Sequence, residues 1–264
     1  MRHLVPCKVI MVALAAAVLV RFGAAQTAAG EVKLGATYVF QADGVTGDIP
    51  ISVHLPVAYE KGDAKFPVLY LLDLGDDFVF GSAVADFLAR SGRIPSLVVV
   101  EVNLDAAQGG LPAMAAFLEK TLFPWAERSF RGQSRRVIYG HSGRSFAVLY
   151  LLLTRPDLAE AAICPGLALT WPLEEGRLDF YALAQKALAG KASFPKALVF
   201  SLGDEKRFFP GIEKFSGILE AEAPADFRWK YLPMPGDGHF STKLKTLYEG
   251  LEFIFMAKPA AAKS

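Results

Sequence analysis

Arg136-Val-Ile-Tyr-Gly-His-Ser-Gly-Arg-Ser-Phe-Ala-Val-Leu-Tyr150 decides how the rest of the chain reads. A β-branched apolar run (Val137, Ile138, Tyr139) meets Gly140-His-Ser-Gly143, and an apolar run of helical character continues through Leu153. Strand, tight turn and helix in that order are the signature of a nucleophile elbow, which holds a serine in a strained conformation at the top of a sheet. The residue after the serine opens the helix, so the Gly143 N–H has no helical acceptor and points toward whatever Ser142 attacks. The motif is usually written G-x-S-x-G because the turn leaves little space. Here its last position is Arg144, whose side chain must therefore point outward, toward solvent or a pocket rim.

On either side of the elbow, strands alternate with helices. Glu31–Gln41 and Ile51–Leu55 read as an antiparallel pair, with Gly44 and Gly47 in the turn between them. In the second strand Ile51, Val53 and Leu55 alternate with Ser52 and His54, which puts His54 on the solvent side. Phe66–Leu72, Leu97–Val102, Ala161–Cys164 and Lys196–Leu202 are unbroken apolar runs, as expected of strands covered on both faces. Phe227–Leu232 is the last strand. Phe78–Arg90 is a helix, Leu111–Phe130 is a helix broken at Pro124, and Leu244, Leu247, Tyr248, Leu251 and Phe255 form the inner face of a closing helix. This pattern implies an α/β fold, a mostly parallel sheet with helices on both faces.

Sites in such sheets gather at the carboxyl ends of the strands. Those ends are Asp73–Asp76, Asn103–Gly110, Ser142, Pro165-Gly166, Gly203-Asp-Glu205 and the Pro233–His239 loop. A serine, a pair of carboxylates and a histidine thus share one rim, in the chain order of an α/β-hydrolase. The histidine follows by elimination among four. His3 lies in the leader, His54 sits mid-strand, and His141 adjoins the serine but points elsewhere, because the elbow reverses side-chain direction. His239, between the last strand and the last helix, is left as the general base. The acid that orients it is either Asp204 or Glu205, since both carboxylates suit the task and one of them is free to cap the helix that follows.

Arg2, His3 and Lys8 precede the apolar run Val9–Val20, and Phe22-Gly-Ala-Ala25 supplies small residues for cleavage after Ala25. Residues 1–25 are thus expected to be a cleavable export signal, too short to span a membrane comfortably. The remaining 26–264 fits a single α/β domain. The mature chain is slightly acidic and carries no basic patch of the density nucleic acid requires. With Cys7 in the leader, Cys164 is the one cysteine left, in an apolar run where it reads as core. No cluster of His, Cys and acidic residues has metal-site spacing, so no metal or organic cofactor is expected.

Several motifs match one family. They are Phe66-Pro-Val-Leu-Tyr-Leu-Leu-Asp73, Ile94-Pro95 before Leu97–Val102, Phe123-Pro124 and Tyr139-Gly-His-Ser142. The match continues with Leu149-Tyr150 through Arg155-Pro-Asp157, Ser201-Leu-Gly203, and Leu247-Tyr248 through Phe255. Over nearly the whole mature chain, the sequence resembles bacterial α/β-hydrolases of the putative esterase family, the esterase D and enterochelin-esterase-like proteins. The resemblance implies a serine hydrolase that cleaves the carboxylic ester of a small molecule through an acyl-enzyme. It implies Glu205 as the acid, and a second oxyanion N–H from Leu74 or Gly75 beside that of Gly143. The family usually has two glycines where this chain has Arg144 and Ser145. It usually has a longer polar stretch where this chain has Asn103–Gly110, and serines where it has Cys164-Pro-Gly166. These departures surround the pocket. They leave two other expectations open: an inactive binding protein that keeps the fold, or an acyltransferase that uses the same residues.

Overall fold

In the computed structural model, the described residues are 33–40, 48–72, 77–102 and 110–256. They contain strands β1 (Ala36–Phe40), β2 (Ile49–His54), β3 (Phe66–Leu71), β4 (Val98–Val102) and β5 (Gly132–Tyr139). Strands β6 (Ala161–Cys164), β7 (Ala197–Leu202) and β8 (Arg228–Pro233) complete one sheet, in the order β1-β2-β4-β3-β5-β6-β7-β8. β1 and β2 pair antiparallel, as does β2 with β4, and every pairing from β4 to β8 is parallel. This is the sheet expected of an α/β-hydrolase, opened by the antiparallel pair read from the sequence.

The apolar runs are continuous because both faces of the sheet are covered. In β3, Val68 and Tyr70 face the larger core with helices α2 (Gly110–Phe117), α3 (Phe123–Ser129), α4 (Gly143–Thr154), α5 (Phe180–Leu188) and α6 (Phe209–Glu222). Their neighbours Leu69 and Leu71 face the other core, with α1 (Asp77–Arg90) and α7 (Thr242–Phe255). Alternation along a strand sends successive side chains to opposite faces. With helices on both sides, each position meets apolar neighbours, and strands β3, β4, β6 and β7 are buried throughout.

Three expectations are corrected. His54 does not face solvent. It is 7 % exposed, with Nδ1 2.7 Å from the Leu34 carbonyl and Nε2 3.3 Å from the Asp86 carboxylate of α1. Helix α1 covers the strand face that the alternating pattern alone assigned to water. The chain does not break at Pro124 either. A five-residue π-helical segment (Leu118–Leu122) runs directly into α3, with the Phe123 N–H bonded to the Leu118 carbonyl, and this wider turn accommodates Pro124, which has no N–H to donate. Leu244 is 51 % exposed; the buried face of α7 runs through Leu247, Leu251 and Ile254. Cys164 is fully buried, and burial pushes its thiol far above the ordinary range, so it carries no thiolate chemistry.

Candidate active site

Helix α4 begins at the elbow. Ser142 occupies its N-cap with φ 55° and ψ −118°, one of two non-glycine residues at positive φ among the described residues. Such a conformation costs about 1–3 kcal/mol and persists only where its surroundings enforce it. Here they do. The Ser142 N–H donates to the Pro165 carbonyl at 3.1 Å, and the Arg144 and Ser145 N–H groups close the turn onto His141 and Ser142.

The missing glycine at position 144 is accommodated one residue before the His-Ser pair. A Cβ on Gly140 would lie 2.8 Å from the Arg144 Cβ and 2.9 Å from the Arg144 carbonyl oxygen. Absence of a side chain at 140 thus makes the room for one at 144, and the half-buried Arg144 leaves the turn intact. Ser145, the second departure from the family pattern, is fully buried. Its hydroxyl lies 2.7 Å from the Gly140 carbonyl and 2.6 Å from that of Pro165, tying the end of β5 to the turn after β6. A glycine there would make neither bond. At Gly143 a Cβ would meet open space, and its N–H stands in the first turn of α4, where the positive end of the helix dipole favours a developing anion.

The loop after β8 brings His239 to the serine. Its Nε2 lies 2.7 Å from Ser142 Oγ and its Nδ1 2.8 Å from Glu205 Oε2. A carboxylate at Nδ1 can only accept, so the ring proton sits on Nδ1 and Nε2 is left to take the serine proton. Asp204, the other candidate acid, faces away. Its carboxylate accepts from the Gly236 N–H at 2.8 Å and its own N–H donates to the Asp237 carbonyl at 2.9 Å. It therefore clamps the histidine loop without touching the imidazole. Gly203 allows this approach, since a Cβ there would lie 2.3 Å from the Asp237 carbonyl oxygen.

The loop is anchored again at Asp237, whose carboxylate takes Lys245 Nζ at 2.5 Å and Ser241 Oγ at 2.9 Å. These hydrogen bonds, led by that of Lys245, hold the carboxyl below the usual carboxylate range. Because the folded value is depressed, the anchor contributes stability above the ordinary carboxylate pKa. It is lost only as pH falls through the depressed one.

His141 is a residue whose part at this site was not read from the sequence. It is only 6 % exposed, and its ring stands 4.6 Å from that of His239. Its Nε2–H donates to the His239 carbonyl at 3.0 Å, and Thr242 Oγ1 donates to the same oxygen at 2.8 Å. The expectation that it points elsewhere holds with respect to Ser142 but fails with respect to His239, which it positions. The signal was the Gly-His-Ser spelling, legible only once a loop almost a hundred residues later is known to return over it. Leu74 and Gly75, the expected source of a second oxyanion N–H, lie outside the described residues. Among the described residues, no three His, Cys, Asp or Glu side chains group as metal ligands do, and no helix is long and apolar enough to cross a membrane.

Residues 43–168 match the model of the family described as Putative esterase. The chain is 23 % identical over 235 residues to the ferri-bacillibactin esterase BesA of Bacillus subtilis, covering 72 % of this chain and 79 % of that protein. Its fold is similar to that of an IroE-like serine hydrolase from Shewanella oneidensis (TM-score 0.73, 20 % identity, 84 % of this chain and 80 % of that one). It is likewise similar to the BES protein from Bacillus cereus (TM-score 0.72, 16 % identity, 88 % and 98 % of the two chains). Strand order, elbow and family match agree: residues 43–168 carry a domain that matches the Putative esterase family, set in an α/β-hydrolase fold.

Proposed function

We propose that the protein is an exported serine hydrolase that cleaves a carboxylic ester of a small molecule through an acyl-enzyme. One observation carries the reading: the unbroken line from Ser142 Oγ to His239 Nε2 (2.7 Å) and from His239 Nδ1 to Glu205 Oε2 (2.8 Å), set on a strained elbow. Ser142 Oγ attacks the ester carbonyl carbon while His239 Nε2 takes its proton. The tetrahedral oxyanion is received by the Gly143 N–H and by a second N–H, from Leu74 or Gly75. As the carbonyl re-forms, the C–O bond to the alcohol breaks and the alcohol leaves with the proton from His239. Water, deprotonated by the same nitrogen, then attacks the acyl-enzyme and releases the acid. Glu205 keeps the imidazole in the required tautomer and stabilises the imidazolium between the two proton transfers. The curated relative BesA is an esterase acting on ferri-bacillibactin, which supports the reaction class for this chain.

Purified protein lacking residues 1–25 is expected to hydrolyse 4-nitrophenyl acetate and to be labelled by a fluorophosphonate probe. Export is read on protein recovered from the periplasm or medium, whose N-terminus is expected near Gln26. Intact Met1 in a membrane fraction would refute cleavage.

Arg144 provides a second test. Because Gly140 supplies the space the turn needs, Arg144→Gly is expected to leave kcat/KM for a small neutral ester within about tenfold, about 1.4 kcal/mol in the barrier. A folded wild type that neither labels nor turns over, beside an Arg144→Gly variant that does both, would favour the non-catalytic binding role instead.

A further inference from the structure

A cavity of about 270 Å³ lies between the start of α2, the first turn of α4 and the segment that leads into α5. Its walls are mostly apolar (Leu111, Phe146, Leu173, Leu178, Phe180 and Tyr181), with Arg177, which pairs with Glu174 at 2.6 Å, as their charged member. Two routes along the chain connect it to the reacting groups. Phe146 stands four residues after Ser142 on the elbow helix, about 6 Å along its axis. Side chains on a helix lean toward its N-terminus, so the Phe146 ring covers the turn nearest the serine. The second route starts at Gly166, where a Cβ would lie 3.2 Å from the His239 Cε1. From there the chain runs three residues, at most about 11 Å, to Leu169 and Thr170 in the cavity wall.

The cavity is held open by built contacts. The Tyr181 hydroxyl donates to the Thr170 carbonyl at 2.7 Å, fixing one wall to the other. The Asp179 carboxylate caps α5 by accepting from the Tyr181 and Ala182 N–H groups at 3.0 and 2.9 Å. The Phe146 and Phe180 rings meet with centroids 5.4 Å apart, forming the floor. Leu178 is nonetheless 44 % exposed, and Leu173 is only half-buried. Apolar side chains are thus left partly wet at a hollow reached one helical turn along α4 from the nucleophile, a setting in which a ligand would complete the burial.

Resting on the ester-hydrolase reading, we propose that this cavity is a specificity subsite that takes the apolar part of the ester. Its preferred occupant is an aliphatic chain of six to eight carbons. At roughly 30 Å³ per water-sized group, a volume of about 270 Å³ admits such a chain. An acetyl group leaves the cavity empty. Burial of each methylene therefore separates long substrates from short ones, and Leu178 at the mouth is the residue whose size sets the limit.

The test is the ratio of kcat/KM for 4-nitrophenyl hexanoate to that for 4-nitrophenyl acetate, taken within each protein so that a general change in activity cancels. For the wild type it is expected to reach about a hundredfold, three- to fourfold per added methylene. In Leu178→Trp, where the indole occupies the cavity, the ratio is expected to fall below about fivefold. Leu173→Asn, which makes the wall polar, should also lower it, with melting temperatures confirming that both variants fold. A wild-type ratio near one, or a high ratio that survives both substitutions, overturns the proposal. If the wild type hydrolyses no ester at all, the triad reading falls and calorimetry of the intact 4-nitrophenyl hexanoate decides the cavity. Saturable binding lost in Leu178→Trp upholds the subsite; absence of binding refutes it.

Discussion

Ser142→Ala is expected to lower kcat for a short-chain ester by about a millionfold, the scale measured when the nucleophile of a serine triad is removed, and to abolish fluorophosphonate labelling. The size follows from what the hydroxyl does. Among the described residues, Ser142 Oγ is the nucleophile hydrogen-bonded to the imidazole, and the oxyanion donors alone give only a residual acceleration. The fold should tolerate the change. Ser142 contributes its positive-φ backbone and its N–H bond to Pro165 to the elbow, and alanine retains the N–H. The side chain is half-buried, and its hydrogen bond is to His239. A melting temperature close to wild type with no turnover is therefore the expected pair of results. Retained turnover would place the nucleophile elsewhere.

Glu205→Gln carries the second largest effect, about 10⁴-fold in kcat, by analogy with a triad Asp→Asn change. The amide keeps the length and an oxygen, but it can also turn its NH₂ toward Nδ1. The imidazole then holds its proton on Nε2, facing Ser142 as a donor and unable to accept. Asp204→Asn should cost about tenfold or less, because the amide oxygen can still accept from the Gly236 N–H. Steady-state kinetics of the two variants distinguish the roles. A large loss at Asp204 with little change at Glu205 would reverse them.

Why the two neighbouring carboxylates differ could not be read from the chain. Asp204 and Glu205 are equivalent by type and position after β7. Their side chains diverge at the turn that Gly203 allows, and the loop that meets them comes from residues 233–239. The same holds for His54 and His141. The alternation of β2 is a local property and assigns His54 to an outer face. That this face is covered depends on α1, whose Asp86 arrives from a different part of the chain. His141 acquires its partner only because the His239 carbonyl closes over the elbow.

Helix α5 is absent from the sequence expectations although its signal is local, an Asp179 cap followed by buried Phe180, Ala184 and Leu188 at helical spacing. Its apolar positions pack on α4 and α6, and its start is set by the Asp179 cap. The sequence by itself determined the strand–helix alternation, the covered parallel strands, the elbow at Ser142 and the carboxyl-end rim, because periodicity and turn chemistry act over a few residues. Residue spacing left Asp204 and Glu205 equivalent and only the resemblance pointed to Glu205; the tertiary structure decided how the two side chains diverge, how Gly140 makes room for Arg144, and which segments gather around Phe146 to form a largely apolar hollow. Each of these depends on distances between segments far apart in the chain, which residue spacing does not encode.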